Sequence, residues 1–433
     1  MAMDGKELVE KLAKLSQVQS IKDIPQLTHA LFPGTHCPLM GAAMAVGGIK
    51  DSLIVVVGTD ECTYYTKSMT IHSEKFGGID GRCVSVVLDD HDVTFGSAEK
   101  VQEAFKEIIE EYRPQCVFLV TTCVIEIIGD DFDAISEGLS ELYGIPVLPV
   151  HTEHFKCEDH LPGLERTITV CAEMMKSCDC ENSVNLLGQR MGDFATTELY
   201  AMLQKAGVKI GLQLPCGCSV DDIKNAAAAK VNIVVNDIAL PLAQKMQEKF
   251  GIPYVYFNKF VIPEKIYEAY KNLFVYLDLE LPGELEGLYQ NAREKIEKNK
   301  GELEGITYIY GNTPYAVFEM NCFLSSLGMV PQVIQTNRYT EADEPYAKEI
   351  LQYTDPYVCK AANIAPLQYV YDVLSPYLYL GHEFGNRLRQ KGIAIVHSDR
   401  ASGMLGFEVT GYLLQQLVKS VREAKEYRKE LGL

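Results

Sequence analysis

Residues 51–58, DSLIVVVG, form a run of β-branched apolar side chains that ends in a glycine. A short run of this kind is typical of a strand buried on both faces, as in the parallel sheets of α/β proteins. Three similar runs follow it, at residues 82–88, 115–122 and 145–150. The segment 97–114, SAEKVQEAFKEIIEEYRP, has an amphipathic helical pattern that ends at a proline. This alternation of strand and helix predicts a parallel sheet with helices on both faces.

The same alternation continues to the end of the chain. A second series of strands and helices begins near NSVNLLG, at residues 182–188, and a third follows the polar helical segment 286–305. We therefore predict an α/β fold with three Rossmann-like domains, each a parallel sheet with helices on both faces. The predicted domains are residues 1–183, 184–303 and 304–433.

Composition restricts the functional classes. The chain has 433 residues, of which 47% are hydrophobic and 23% charged, and its formal net charge is −19. Nucleic-acid phosphates require a basic surface, so this charge argues against a nucleic-acid partner and favours protein partners. Polar residues and glycine interrupt the apolar runs, and no membrane span is predicted. The N-terminal MAMDGKELVEKLAKLSQ resembles a charged amphipathic helix rather than a secretory signal, which predicts a cytoplasmic protein.

Thirteen cysteines make metal or redox chemistry the leading interpretation, because an odd number fits a complete disulfide framework poorly. Cys62 follows the first predicted strand, Cys123 ends the third, and Cys37 precedes a helix. Open α/β sheets bind ligands at the carboxyl ends of their strands. Thiolates at such turns suit a soft metal cluster, since backbone N–H groups stabilise their charge. No CxxC pair links the three cysteines, so spacing alone leaves open whether they share a site.

The sequence around these cysteines resembles the nitrogenase component 1 family, which includes nitrogenase α and β subunits, cofactor-scaffold subunits and dark-operative protochlorophyllide reductase subunits. Cys37 opens CPLMGAAMAVGGIKD, Cys62 lies in GTDECTYY, and Cys123 lies in TTCVIEIIGDDFDAI. The similarity extends along nearly the whole chain and is most specific over residues 35–135. It implies that the three thiolates hold an iron–sulfur cluster, [4Fe–4S] or [8Fe–7S] P-type, at a subunit interface. Three thiolates are one short of the usual set for a [4Fe–4S] cluster, which favours ligands from a partner chain.

The same resemblance implies the partners and the reaction. By the resemblance, an ATP-hydrolysing [4Fe–4S] iron protein is expected to donate electrons. This chain has no GxxxxGK[ST] phosphate loop and is not expected to hydrolyse ATP itself. A second component 1 subunit, homologous or identical, is expected to complete a heterotetramer. The implied function is a nitrogenase-like oxidoreductase subunit that relays electrons to a substrate-reducing centre. The alternatives are a scaffold for assembly of a complex iron–sulfur cofactor, and a tetrapyrrole or organosulfur reductase subunit.

A second centre is expected in the last domain. Residues 392–412, GIAIVHSDRASGMLGFEVTGY, resemble the nitrogenase α segment whose histidine binds the catalytic cofactor, and His397 occupies that place. The resemblance implies a second complex iron–sulfur cofactor near His397, and the alternative is a histidine that only forms hydrogen bonds in the core. The family's cofactor cysteine should fall at residues 230–237, KVNIVVND, which contain no thiol. Therefore either the centre differs, another cysteine substitutes, or the chain lacks the centre.

Four side chains are candidates for binding that cofactor. Cys216 and Cys218, in LPCGCSVDD, precede a helix whose N-terminus would lower their thiol pKa values. They are candidates for the missing soft ligand, and the alternative is two reduced thiols in a glycine turn. Gln189 and Arg190, in LLGQRMGD, are expected to face the cleft and orient an anionic substrate or cofactor.

Two further groups of side chains are weaker candidates. Residues 151–160, HTEHFKCEDH, contain metal-binding residue types without zinc-like spacing, so solvated or hydrogen-bonded roles are the alternative. By the resemblance, His154 falls where the nitrogenase β subunit has a serine near its P-type cluster. The remaining candidates are, in the histidine-rich segment, His151, Cys157 and His160, and, near the predicted cleft, Asn386, Arg387 and Arg400.

Overall fold

The computed structural model describes residues 4–27, 36–71, 81–157, 159–190, 192–311, 313, 315–360 and 364–433. The strands within these ranges are, in chain order, β1 (Ala13–Lys14), β2 (Ile49–Lys50), β3 (Ser52–Gly58), β4 (Cys83–Val87), β5 (Cys116–Val120), β6 (Val147–Val150), β7 (Ser183–Gln189), β8 (Lys209–Pro215), β9 (Cys218–Ser219), β10 (Val231–Val234), β11 (Tyr254–Tyr256), β12 (Thr307–Tyr310), β13 (Val330–Gln335), β14 (Tyr357–Cys359), β15 (Leu378–Leu380) and β16 (Ala394–Val396).

Helices connect most of these strands. In chain order they are α1 (Gly5–Glu10), α2 (Pro38–Gly47), α3 (Asp60–Ile71), α4 (Asp90–Phe95), α5 (Ala98–Tyr112), α6 (Cys123–Ile128), α7 (Phe132–Tyr143), α8 (Leu161–Val170), α9 (Glu198–Lys205), α10 (Val220–Lys224), α11 (Leu240–Phe250), α12 (Pro263–Leu277), α13 (Leu285–Leu303), α14 (Val317–Ser326), α15 (Glu344–Ile350), α16 (Ile364–Leu374), α17 (Gly385–Arg389) and α18 (Glu408–Leu431).

The four apolar runs of the first third form one parallel sheet in the order β4-β3-β5-β6. Every residue of β3 is buried, because its side chains point alternately into two cores on opposite faces. Helices α5 and α7 cover one face, and α2 and α8 cover the other. This is the arrangement that the sequence predicts, and it brings the carboxyl ends of β3 and β5 side by side.

The second sheet is also parallel, with the order β11-β10-β7-β8. It shares a hydrophobic core with the first sheet, since side chains such as Leu187 and Leu212 belong to the same buried cluster as Ile54 and Val120. A short parallel pair, β2 with β9, also joins the two units. The first two units are therefore packed tightly together.

The third sheet has the order β1-β14-β13-β12-β15-β16, in which only β1 is antiparallel to its neighbour. The predicted domain bounds group the N-terminal segment with the first domain, whereas in the structure this segment packs on the third sheet. The reason is local: Leu15 donates its backbone N–H to Pro356 O at 2.9 Å, and Leu8 and Leu12 enter the core beneath β14. The N-terminal helix is also shorter than its amphipathic pattern suggests, because α1 ends at Glu10.

Several parallel or mostly parallel sheets flanked by helices confirm the predicted α/β class. The boundaries near residues 183 and 303 stay predictions. Across the described ranges, no helix is both long and apolar enough to cross a membrane.

Candidate metal centre

Cys37 is fixed by the close packing of two helices. It is the N-cap of α2, and its carbonyl accepts the backbone N–H of Met40 at 3.0 Å. A Cβ on Gly163 of α8 would lie 1.8 Å from Pro38 O, so only glycine allows α8 to approach the residue after Cys37 this closely. The start of α2 is therefore held against the start of α8, and the half-buried Cys37 thiol lies at this junction.

Cys62 and Cys123 are brought near each other by neighbouring strands. Cys62 is in the first turn of α3, directly after β3, and Cys123 is the first residue of α6, directly after β5. Where β3 ends, a Cβ on Gly58 would lie 2.0 Å from Thr122 Oγ1, so glycine allows the two strand ends to touch. Both cysteines therefore lie at the same edge of the first sheet, as the sequence predicts from the strand ends.

All thirteen cysteines are free thiols, and Cys37, Cys62 and Cys123 are partly exposed. Cys37 and Cys62 also pack against the same hydrophobic core. The backbone N–H of His154 donates to Cys123 Sγ at 3.4 Å. Such a donor stabilises negative charge on sulfur, so the environment of Cys123 suits a metal-bound thiolate.

Three large exposed apolar side chains lie close in sequence to Cys62, Cys123 and His154. Tyr64, Ile127 and Phe155 are 73%, 74% and 56% exposed, and each lies within four residues of Cys62, Cys123 or His154. Exposed apolar side chains grouped around one site are typical of a surface that another protein covers. The edge of the sheet that carries the cysteines therefore has the character of an interface.

The histidine-rich segment does not form one cluster. His151 is engaged by two carboxylates, with Nδ1 2.8 Å from Glu126 and Nε2 3.5 Å from Asp133. Burial lowers the pKa of His151, but these two carboxylates raise it more. His160 instead packs edge-on against His36, and burial, assisted by the nearby Arg190 charge, lowers its pKa to about 4. His154 is exposed.

Among the described residues, a different group of metal-binding side chains lies close together. Asp89, His91 and Asp92 lie close together, but Lys100 Nζ lies 3.1 Å from Asp89 and 2.5 Å from Asp92. The single ammonium already pairs with both carboxylates. This group is therefore a surface ion-pair network around the N-terminus of α4.

His397 follows β16 and lies exposed at the wall of a cavity of about 130 Å³. The cavity is also lined by His382 and Asp399, whose side chains are 3.5 Å apart. Of the other polar candidates nearby, Asn386 and Arg400 are exposed, and Arg387 stacks 4.8 Å from the ring centre of Phe384. His397 is thus not a buried core histidine.

The two cysteines of LPCGCSVDD have different environments. Cys216 Sγ donates to Arg190 O at 3.1 Å, whereas Cys218 is 2% exposed and lies in the shared core. Burial raises the pKa of Cys218 to about 12 and also raises that of Cys216, although Arg190 and Lys259 oppose the shift of Cys216. A helix N-terminus therefore does not outweigh burial here, and Cys216 is the thiol of this pair that faces other polar groups.

Polar groups occupy the segment where the resemblance expects a cofactor cysteine. Asn236 follows β10, and its Oδ1 accepts the backbone N–H of Ile238 at 3.2 Å. Asp237 Oδ2 lies 3.3 Å from Arg338 Nη1. Asn236 therefore caps a short helical turn, and its backbone packs against Gly188 at the end of β7.

Lys259 was not a candidate from the sequence. It follows β11 in FNKFVIP and is only 6% exposed, close enough to Arg190 and Cys216 for their charges to affect its pKa. Gln189, at the end of β7, is 2% exposed. The sequence signal that could have identified Lys259 is its position in an otherwise apolar segment directly after a strand.

A family model described as nitrogenase component 1 type oxidoreductase matches residues 37–422, starting at Cys37. The chain belongs to the nitrogenase component 1 family. The predicted resemblance is thus confirmed. Members of this family carry iron–sulfur clusters and normally form multi-subunit complexes.

The chain is similar to proteins of two kinds within this nitrogenase-like family. It is 31% identical over 224 residues to the nitrogenase iron-molybdenum cofactor biosynthesis protein NifE of Clostridium pasteurianum, covering 51% of this chain and 49% of that protein. It is 25% identical over 331 residues to the NifE protein of Rippkaea orientalis, with coverages of 73% and 69%. It is 24% identical over 332 residues to the nitrogenase molybdenum-iron protein alpha chain of Methanosarcina barkeri, with coverages of 72% and 62%. The match thus spans about half of the Clostridium protein.

Solved structures agree on the fold. The structure titled "Nitrogenase Cp1 at pH 6.5" superposes with a TM-score of 0.76 at 15% identity, covering 92% of this chain and 94% of that chain. A second, "Nitrogenase Cp1 at pH 5", gives a TM-score of 0.67 at 19% identity, with 97% of both chains covered. At these identities the likeness shows a shared architecture alone.

Proposed function

We propose that this chain is a subunit of a nitrogenase-like reductase that holds an iron–sulfur cluster through Cys37, Cys62 and Cys123. The cluster receives electrons from an ATP-hydrolysing iron protein and passes them towards a substrate-reducing centre. The observation that carries the proposal is the position of the partly exposed Cys62 and Cys123 thiols at one edge of the first sheet, with the partly exposed Cys37 packed against the same core as Cys62. Thiolates are the usual ligands of iron–sulfur clusters, so the residues present fit the group.

The exposed apolar side chains around this edge support the position of the cluster at a subunit interface. Tyr64, Ile127 and Phe155 would be removed from water by a second component 1 subunit, which would also contribute the remaining ligands. Either cluster type, [4Fe–4S] or the larger [8Fe–7S] P-type, is compatible with three thiolates from this chain. A heterotetramer of paired subunits is the assembly that we propose.

For the second centre, we propose that His397 binds a complex iron–sulfur cofactor from the cavity beside β16. The exposure of His397 and the neighbouring His382 and Asp399 support a ligand-binding role over a purely structural one. Gln189, Arg190 and Cys216 lie at the ends of β7 and β8 and are our candidates for contacts with a cofactor in the cleft. Cys218 is less suitable because it is packed in the core.

A scaffold for cofactor assembly is the second candidate function. Two of the relatives described above are named as iron-molybdenum cofactor biosynthesis proteins. Asn236 and its neighbours also provide no thiol where the catalytic family members are expected to bind their cofactor. A weaker attachment of this kind would suit a protein that releases its cofactor.

The cluster assignment is tested by iron and sulfide quantitation with EPR on anaerobically purified protein. Cys62→Ala and Cys123→Ala should each lose the wild-type cluster signal and iron. Cys178→Ala is a matched control, because Cys178 is an exposed thiol whose hydrogen bonds are to Lys176 O and Asn225 Oδ1. Retention of the signal and iron by Cys62→Ala would reject the ligand assignment.

The choice between reductase and scaffold needs a second assay. The purified complex is incubated with its iron protein, ATP and candidate substrates, and separately with a cluster-free acceptor reductase. Substrate reduction that requires both ATP and the iron protein supports the reductase. Transfer of a bound cluster to the acceptor without any substrate reduction supports the scaffold and contradicts the reductase.

A further inference from the structure

The second sheet gathers polar side chains from all four of its strands at one edge. Cys216 follows β8, Arg190 follows β7, Asn236 follows β10 and Lys259 follows β11. Ligands of open parallel sheets bind at this carboxyl edge. The arrangement therefore has the position of a binding site, and it is separate from the thiols of the first sheet.

Among the described residues, two cations at this edge have no anionic partner within ion-pair distance. Lys259 is 6% exposed, and the groups that act on its ammonium are the Arg190 guanidinium and the Cys216 thiol. Arg190 Nη1 is buried and, within the described part of the chain, has no hydrogen-bond partner. A buried cation without a counter-ion is costly, and two adjacent ones are costlier because they repel each other.

The described acidic side chains that act on Arg190, Asp237 and Asp159, have closer partners elsewhere. Asp237 Oδ2 pairs with Arg338 at 3.3 Å, and Asp159 Oδ1 accepts the backbone N–H of Leu161 at 2.8 Å. Both act on Arg190 only at longer range. Cys216 donates its thiol proton to Arg190 O, and burial raises its pKa, so it supplies no negative charge.

We propose that Arg190 and Lys259 form a binding site for an oxyanion at the carboxyl edge of the second sheet. The guanidinium can donate two parallel N–H groups to two oxygens of one anion, and the ammonium adds a third contact. The ligand is a carboxylate or a tetrahedral oxyanion, either free or carried by a larger molecule. Because Arg190 is also a proposed cofactor contact, this inference rests on the cofactor cleft of the proposed function, but it does not depend on the relay cluster, since it uses none of the cluster cysteines.

Binding is measured by isothermal titration calorimetry on the full chain, purified anaerobically, at constant ionic strength in chloride. Sodium sulfate is the tetrahedral probe and sodium malonate is the carboxylate probe. Wild type should bind at least one of them, and Lys259→Met and Arg190→Gln should each weaken that binding by about tenfold or more. Lys259→Arg should retain it, since the charge remains.

Lys205→Met is the matched control, because Lys205 is an exposed cation of the same domain that already pairs with Glu284 at 2.7 Å. It should bind both probes like the wild type. Tighter binding of malonate supports an organic acid as the source of the anion, and equal binding supports any oxyanion. Wild-type affinity in Lys259→Met, or no binding of either probe by wild type, overturns the proposal.

A pH series provides a measurement that does not depend on the folding of a variant. Lys259 is faced by Arg190 and Cys216, and Arg190 is faced in turn by His160, Asp159 and Asp237. Burial and the Arg190 charge lower the pKa of Lys259 to about 8, so its ammonium is lost between pH 7 and pH 9.5. The wild-type affinity for the bound probe should fall by about tenfold over this range. An affinity independent of pH overturns the proposal.

Discussion

The backbone N–H of His154 donates to Cys123 Sγ at 3.4 Å, which ties the loop after β6 to the cysteine after β5. The His154 side chain is exposed, so its contribution to the cysteine comes from the main chain. If Cys123 is a cluster ligand, this N–H stabilises the reduced, more negative form of the cluster.

His154→Pro should therefore make the reduction potential of the cluster more negative, because proline removes the N–H donor. His154 is the first residue of a short helical turn, His154–Lys156, where proline is tolerated. His154→Ala keeps the N–H and should retain the wild-type potential. A redox titration followed by EPR measures both variants, and an unchanged potential in His154→Pro would contradict a ligand role for Cys123.

Gly58→Ala should destabilise the edge of the first sheet. The new Cβ would lie 2.0 Å from Thr122 Oγ1 and 2.8 Å from Thr122 Cβ, so the whole buried side chain must move. Overpacking of this kind costs about 1–3 kcal/mol, and here it also displaces Cys123. Thermal unfolding and iron content are the measurements. Gly138→Ala, at an exposed position of α7, meets no neighbouring atom and should be stabilising or neutral. Equal effects of the two substitutions would contradict the prediction.

Ile127→Lys should weaken association with the partner subunit. Ile127 is 74% exposed and lies four residues after Cys123, so a buried lysine there would leave an unpaired charge in the interface. Copurification of a component 1 partner with the tagged chain, quantified by mass spectrometry, should fall by about tenfold or more. Leu142→Lys is the control, because Leu142 is 71% exposed but near the end of α7, which precedes the amino end of β6. Equal recovery with both variants would reject the interface.

The sequence predicts the first sheet well because its strands are continuous apolar runs, a pattern that burial on both faces requires. It predicts the N-terminal segment poorly. The two residues of β1 pair with β14, which itself has only three residues, and such short strands are determined by contacts with distant parts of the chain. Local pattern carries no information about that pairing.

In the candidate sites too, the sequence predicts the residues that follow apolar runs and misses those whose role depends on packing. Cys62 and Cys123 could be placed at a sheet edge because each follows an apolar run, and the structure has both there. Lys259 could not be identified in this way, since its significance depends on burial to 6% exposure and on the proximity of Arg190, 69 positions earlier in the chain. Similarly, Cys216 and Cys218 are equivalent in sequence pattern, and only packing distinguishes them.

His397→Ala should separate the two proposed centres. The EPR signal of the Cys37, Cys62 and Cys123 cluster should be unchanged, because His397 follows β16 in the third sheet, whereas these cysteines lie at the first. Iron beyond that cluster and ATP-dependent substrate reduction should both fall. His382→Ala tests the same cavity, because His382 also lines it and lies 3.5 Å from Asp399. Wild-type iron content and activity in His397→Ala would show that His397 holds no cofactor.

Lys259→Met should increase the free energy of unfolding at pH 7 in anion-free buffer. Burial, with a contribution from Arg190, lowers the Lys259 pKa from 10.5 to about 8. Below pH 8 the folded protein therefore bears the full cost of a buried charge, which is on the order of 3 kcal/mol. Between about pH 8 and 10.5 the unfolded chain holds a proton that the folded protein lacks, so wild-type stability rises with pH relative to the variant.

Denaturant unfolding at pH 7 and at pH 9.5 measures this difference. Lys259→Met should be more stable than wild type at pH 7, and the gap should narrow at pH 9.5 because the wild type has then lost the buried charge. Lys205→Met changes an exposed, paired cation and should show no such pH-dependent gap. Addition of an anion that binds Arg190 and Lys259 should stabilise the wild type but not Lys259→Met, because bound ligand stabilises only the state that binds it. Lys259→Met could instead be less stable than wild type at pH 7, with the same difference in free energy of unfolding at pH 9.5. That result would mean that Lys259 already has its counter-charge within the fold.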